Sequence, residues 1–341
     1  MSISKRYSNL LYRRAPELDR TVESFSESFE QVTGEYTKYL IGAIKPVDKK
    51  YTDRLVEQGN RIENQLQKRM VDVYPGIEFR RQGSVSNLTH IRYFSDVDVL
   101  VIIDKFITLQ PPQKPSNPYK GEPKDDLLEL RQKCYHELNI AFPKVTIDNA
   151  GSTSLSLEGG SLVCKVDVVP SNWYDTNEYS ETYLEHFRGI MVLNKDEMER
   201  KKNFPFLFNY RINEKDNECN GTVRMLIRLL KTLKADADEE NKVELSSFDI
   251  CSIAYRIPNE YLNFQINEPL DIIKNFALWM QKIINDSELR KILKVVDDSR
   301  IIFDEDEKYN DFVKLFNDLV DLYNGAKEEN QMKLITEAHL K

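Results

Sequence analysis

The segment Gly83 to Ile103, GSVSNLTHIRYFSDVDVLVII, constrains this chain more than any other. From Asp96 to Ile103 it is apolar apart from two aspartates, the pattern of a strand. Side chains alternate along a strand, so Asp96 and Asp98 point one way while Val97, Val99 and Val101 point the other. Burying the apolar face leaves two carboxylates on one exposed face at the lip of a cleft, where their repulsion is unfavourable unless a cation sits between them. Mg²⁺ suits that oxygen pair. A D-x-D by itself is common in a chain with 56 acidic residues, and most such pairs lie in surface loops. Context raises its weight. Gly83-Ser84 lies upstream, after a short strand and before a stretch that starts a helix at Ser86 or Asn87. A glycine lets backbone amides approach a phosphate, a serine hydroxyl adds a donor, and a helix N-terminus adds partial positive charge. The competing reading of the pair is a plain strand-to-helix turn.

A third carboxylate, Asp167, is embedded in the apolar run Leu162 to Pro170, LVCKVDVVP, where a lone buried Asp is costly. Lys165 lies two residues away on the same face, so one reading is a strand-surface ion pair. In the other, this strand lies beside the D-x-D strand, and Asp167 completes three carboxylates, enough to hold two Mg²⁺ ions with substrate phosphates. Ser152, Ser154 and Ser156 alternate toward one face nearby, either toward an acceptor or toward solvent. In the helix from Thr222, TVRMLIRLLKTLK, Arg224, Arg228 and Lys231 share one face and Leu226, Leu230 and Leu233 another. It is either an ordinary amphipathic helix or one that turns a cationic stripe toward phosphates. Ser246-Ser247-Phe248 opens a further helix, for which the bland reading is an N-cap with a core Phe.

Helical periodicity runs from Leu18 to Met70, with Leu55, Ile62, Leu66 and Met70 on one face, and Pro75-Gly76 stops it. Strand-like runs follow at Ile77 to Arg81, Val145 to Asp148, Ser152 to Leu157 and Leu162 to Val169. An exposed loop with Pro111, Pro112, Pro115 and Pro118 precedes a helix near Asp125 to Leu138. Glu158-Gly159-Gly160 reads as a hairpin turn between antiparallel strands. From Thr222 onward the pattern is almost wholly helical, with Phe312, Leu315, Phe316, Leu319 and Leu322 on one face. The acidic runs Asp236 to Glu240 and Asp304 to Glu307 read as solvated surface. The 341 residues therefore predict an α/β core with N-terminal helices over 1–215 and a helical lobe over 216–341, with a long N-terminal helix spanning both and a cleft between them. Forty-eight basic against 56 acidic residues give a net charge of −8, which argues against a sequence-indifferent binder of long nucleic acid. Cys134, Cys164, Cys219 and Cys251 form no C-x-x-C pair, so a reducing, cytoplasmic setting is expected rather than a zinc or disulfide framework. No apolar run approaches the roughly 18 residues of a membrane span.

A Gly-Ser pair, a D-x-D on the next strand and a later Asp in an apolar strand resemble the nucleotidyltransferase superfamily related to DNA polymerase β. Within it the chain is most similar to the bacterial cGAS/DncV-like nucleotidyltransferases. That resemblance implies an α+β fold, with a polymerase β-like core, a mixed and largely antiparallel sheet, and a C-terminal helical lobe. It implies that Asp96, Asp98 and Asp167 are catalytic and hold two Mg²⁺ ions, or Mn²⁺ in their place. Gly83 and Ser84 would meet the donor triphosphate, Lys231 and Ser247 would contact phosphate, and Phe248 would stack on the donor base. Arg224 and Arg228 join the nucleotide-binding set from helical spacing alone. The implied activity joins ribonucleoside triphosphates (ATP, GTP or pyrimidine nucleotides) into a cyclic oligonucleotide, most simply a cyclic dinucleotide. This anti-phage second messenger would be made by a monomer and read by a separate effector. No Cys/His cluster matches the zinc insertion of the animal DNA sensor. Two alternatives differ in acceptor or in class: synthesis of linear oligoadenylate, or transfer to RNA, a small molecule or a protein; and a non-catalytic nucleotide-binding scaffold, against which the intact triad stands.

Overall fold

The computed structural model describes residues 1–14, 34–262 and 269–339. The chain forms two compact units, one of residues Met1–Val47, Thr89–Phe94 and Ile212–Lys341, the other of Asp48–Leu88 and Ser95–Arg211. The described residues among 1–47 thus group with the C-terminal helices, where the sequence had placed them with the α/β core. The break is local. Pro46 offers no amide hydrogen and disfavours the helical conformation at Lys45, which is extended (φ −62°, ψ 144°). Asp48 then caps a new helix by accepting from the Tyr51 amide at 2.8 Å. The helical run expected from Leu18 to Met70 is therefore interrupted, and its stretch 18–33 lies outside the described residues. Among the described residues no helix is long and apolar enough to cross a membrane.

The unit holding the aspartates is built on a seven-stranded sheet: β1 (Glu78–Gln82), β2 (Val97–Leu109), β3 (Thr146–Asp148), β4 (Leu155–Glu158), β5 (Val166–Asp175), β6 (Gly189–Asn194) and β7 (Glu199–Asn203). The order is β1-β2-β5-β4-β3, with β6 pairing the far half of β5 and β7 pairing β6. Among the described residues only β2 and β5 run parallel; the other pairs are antiparallel. A central parallel pair is covered on both faces, and β2 shows it. Val97, Val99, Val101 and Ile103 are buried on one face, while Leu100 and Ile102 on the other join Val169, Trp173, Ile190 and Val192 in one apolar cluster. Asp98 shares the face of Leu100 and Ile102, one step beyond the end of that cluster. The long helix Lys49–Met70 buries Leu55, Ile62, Leu66 and Met70. Met70 meets Cys134 of the helix Pro123–Ala141, sulfur to sulfur at 3.9 Å. The hairpin expected at Glu158-Gly159-Gly160 is present, since β4 and β5 pair antiparallel. A side chain at Gly160 would collide with the Lys144 carbonyl, at a positive φ of 59°. The second strand starts at Val166 rather than Leu162, because residues 161–165 first loop back to the long helix: Gln58 accepts from the Val163 amide at 3.0 Å, and Arg61 donates to the Ser161 hydroxyl at 3.0 Å.

Numbering helices in chain order, α1 is Ile3–Arg14, α2 Glu35–Ile44, α3 Lys49–Met70, α4 Gly83–Ser86, α5 Pro123–Ala141, α6 Asn177–Thr182, α7 Pro205–Glu218, α8 Thr222–Ala235, α9 Ser247–Tyr255, α10 Pro269–Asn285, α11 Ser287–Ile292 and α12 Asp306–His339. In the helical unit α8 is buried nearly all round, including Val223, Leu226, Ile227, Leu229, Leu230 and Leu233, as befits a central helix. α2 has no capping side chain of its own. Glu329 of α12 supplies one, accepting from the amides of Tyr36 (3.0 Å) and Thr37 (2.9 Å), a negative charge at the positive end of a helix. The solvated reading of the acidic run 236–240 fails at its first residue. Asp236, which caps the C-terminus of α8, is buried and takes a two-pronged hydrogen bond from Arg13 of α1 and one from the Tyr39 hydroxyl of α2 at 2.8 Å.

Candidate active site

β1 and β2 pair with Gln82 opposite Asp98, and β2 and β5 pair with Asp98 opposite Asp167. Register alone therefore brings two of the sequence-selected carboxylates side by side. The third, Asp96, precedes β2 by one residue and stands next to Lys165, whose carbonyl accepts from the Val97 amide at 3.1 Å. The Lys165 ammonium donates to Asp167 Oδ2 at 3.1 Å and to Asp96 Oδ2 at 3.4 Å. The Lys165–Asp167 ion pair read from the sequence is present, and the same ammonium reaches Asp96.

Gly83 ends β1 and opens the single turn α4, three residues earlier than expected. It has φ +80°, and a Cβ there would lie 2.0 Å from Asp98 Oδ2. Glycine is required twice, for the left-handed backbone and for the close approach of the Asp98 carboxylate. Gly83→Ala is expected to cost about 1–2 kcal/mol of stability from the left-handed conformation. By displacing Asp98 it should also lower the rate of catalysis by about 100-fold. Melting curves and initial rates on the same preparation check both.

Burial raises the Asp98 carboxyl to about 7, reinforced by the neighbouring charges of Asp167 and Asp96 and opposed by a hydrogen bond from the Gln82 amide. Asp96 is also raised, by burial first, with Lys165 pulling it back down. Gln82 escaped the sequence reading. Its amide oxygen accepts from Asn203 at 3.3 Å, which fixes the amide and leaves its NH₂ for Asp98. The available signal was its place directly before Gly83-Ser84 in a strand that pairs with the D-x-D strand.

A divalent cation fits this donor set on two observations. Asp167 Oδ1 is buried without a hydrogen-bond donor, and the Lys165 ammonium already stands in as a cation between two carboxylates. The donors are hard carboxylate oxygens, the preference of Mg²⁺ and Mn²⁺. Among the described residues, as placed, no group of three or more Asp, Glu, His or Cys side chains is gathered closely enough to hold a metal ion. Ser156 faces Asp167 across β4 and β5, whereas Ser152 and Ser154 lie in the preceding loop.

The helical unit carries the other selected residues. Lys231, almost fully buried, and Ser247 line one cavity of about 440 Å³ with Ile91, Phe94 and Lys234. Arg224 and Arg228 do not line it. Arg224 donates to Asp216 at 2.6 Å and Arg228 to the Ile44 carbonyl at 2.9 Å, which ties α8 to α7 and α2. The N-cap expected near residue 247 is Ser246, which accepts from the Asp249 amide at 3.0 Å and leaves the Ser247 hydroxyl outside that role. Phe248 is half-buried rather than core, with the Arg300 guanidinium 5.7 Å from its ring.

Residues 210–324 match the cGAS/DncV-like nucleotidyltransferase C-terminal helical domain. Over 280 residues the chain is 38% identical to the cyclic dinucleotide synthase CdnE of Yersinia aleksiciae, covering 82% of this chain and 73% of that one. The chain belongs to the cGAS/DncV-like nucleotidyltransferases. This cGAS/DncV-like nucleotidyltransferase superposes on the STING-associated CdnE c-di-GMP synthase of Capnocytophaga granulosa with a TM-score of 0.79 at 28% identity, over 96% of this chain and 99% of that one. It also superposes on a STING-associated CdnE c-di-GMP synthase of Flavobacteriaceae sp. with a TM-score of 0.80 at 25% identity, over 97% and 99% of the two chains. The expected α+β architecture, a polymerase β-like core with a mostly antiparallel sheet, is the fold of this cGAS/DncV-like nucleotidyltransferase.

Proposed function

We propose that the chain joins ribonucleoside triphosphates into a cyclic oligonucleotide, a cyclic dinucleotide above all, with release of pyrophosphate. The observation that carries this reading is the register placing Asp98 directly opposite Asp167, with Asp96 beside them. The names of the relatives support the product class. Mg²⁺ or Mn²⁺ held by Asp96, Asp98 and Asp167 would supply Lewis-acid neutralisation of phosphate charge and ease deprotonation of an acceptor hydroxyl. The protein's own groups position. Gln82 and Asn203 orient Asp98, the bare backbone of Gly83 admits a close approach, and the Ser84 hydroxyl offers a donor to phosphate. On the helical unit, Lys231 and Ser247 are the proposed phosphate contacts and Phe248 the proposed base contact. An acceptor ribose hydroxyl attacks the α-phosphorus, a new P–O bond forms, and the bond to pyrophosphate breaks. Repeating the transfer with the linear intermediate as donor closes the ring. The transfer needs no His or Cys nucleophile, so rate enhancement rests on orientation and charge neutralisation. A separate effector would read the product.

The test is incubation with Mg²⁺ and α-labelled nucleotides, GTP alone first because c-di-GMP is the product named for both solved relatives. Wild type should release pyrophosphate and form a phosphatase-resistant labelled product that an Asp96→Ala, Asp98→Ala double variant does not make. A joined product that loses its terminal label to phosphatase but keeps its internal one would mean linear synthesis.

A further inference from the structure

The aspartate cluster contains a cation of its own. The β2–β5 ladder extends one step past Val97 and Val166 through the Lys165 carbonyl, which sets Lys165 beside Asp96. The backbone there is held from behind by Gln58 and Arg61 of α3 on residues 161 and 163. The ammonium bridges Asp167 at 3.1 Å and Asp96 at 3.4 Å. We propose that Lys165 is a positioning residue, an internal counter-cation that holds Asp96 and Asp167 together in the metal-free enzyme and gives way when a divalent cation binds. This rests on the reading of the three aspartates as cation ligands.

The exposures fit an exchange. The side chain of Lys165 is 38% exposed and that of Asp96 43%, so the ammonium has water to move into, while Asp167 at 17% keeps its place. An anchored backbone with an exposed head lets the side chain leave without disturbing the strand. Binding a divalent ion then includes the cost of displacing Lys165, and its ammonium lowers the negative potential that would draw the ion in. A neutral side chain of similar length removes both effects, and an arginine retains both.

The experiment uses the full chain and Mn²⁺ itself, with free Mn²⁺ read by its electron paramagnetic resonance signal. Lys165→Met should bind Mn²⁺ roughly 5- to 10-fold more tightly than wild type, an estimate for a half-exposed charge removed from a cation site. It should also melt lower than wild type in chelator and recover in Mg²⁺. Lys165→Arg should bind as wild type does. Lys165→Gln makes the same comparison should the methionine variant fail to fold. If wild type binds Mn²⁺ and Lys165→Met binds it equally or more weakly, the bridge is a plain structural ion pair and this proposal falls alone. If wild type shows no Mn²⁺ binding beyond that of an Asp96→Asn, Asp98→Asn variant, the reading of the aspartates falls and takes the proposal with it.

Discussion

Asp98→Asn should lower the rate of nucleotide joining by at least about 1000-fold, corresponding to roughly 4 kcal/mol of transition-state stabilisation lost with one proposed cation ligand. The same substitution should make the metal-free chain more stable. The Asp98 carboxyl is held at about 7 by burial and by Asp167 and Asp96, above the roughly 3.9 of an aspartate in an unfolded chain. Between those values the native state holds the proton and the unfolded state does not, so metal-free stability falls as pH rises through that window. Asparagine has the same shape and no charge, and is spared that loss. In chelator, the melting temperature of Asp98→Asn should exceed that of wild type at pH 8 and approach it near pH 4. Mg²⁺ should raise wild type at pH 8 and leave the variant nearly unmoved. A variant that stays active, or that melts below wild type at pH 8, contradicts this account of the site.

Asp236→Ala should destabilise the helical unit by about 3–5 kcal/mol, the cost of stranding a buried charge. The Arg13 and Asp236 side chains are 7% and 0% exposed, so truncation leaves a guanidinium without its two-pronged partner and the Tyr39 hydroxyl without its acceptor. The Arg13 guanidinium also lies 5.6 Å from the Phe94 ring, so the loss spreads to the wall of the cavity that holds Lys231 and Ser247. Breaking the half-exposed pair between Arg80 and Glu185 (2.8 Å) is the control, with an expected cost of about 0–1 kcal/mol. Urea unfolding of the two variants separates these values easily, and equal effects would mean that burial is not what gives the Asp236 pair its weight.

Strand alternation leaves a mark in sequence, and Val97, Val99 and Val101 announce one buried face. That the Asp167 strand lies beside it was one of two open readings, and the pairing of Asp98 with Asp167 is visible only in the folded sheet. Gln82 and Asn203 were invisible because they act through a three-membered chain of hydrogen bonds that only the folded sheet assembles. The basic spacing on α8 is less informative. Periodicity tells which residues share a face and says nothing of what that face meets, and for Arg224 and Arg228 it meets Asp216 and the Ile44 carbonyl. The acidic run 236–240 misled by averaging. Asp238 to Glu240 remain accessible, but Asp236 turns inward to Arg13, and no composition argument resolves one residue in five.

The mass of the product tests the central claim most directly. Incubated with Mg²⁺ and ribonucleoside triphosphates, the wild-type chain should yield a species with the mass of nucleoside monophosphates joined with loss of one water per residue and no terminal phosphate. The Asp98→Asn chain should yield none. A product that retains a 5′ triphosphate as its final form, or a cyclic product still made by Asp98→Asn, would contradict the assignment of ring closure to these three aspartates.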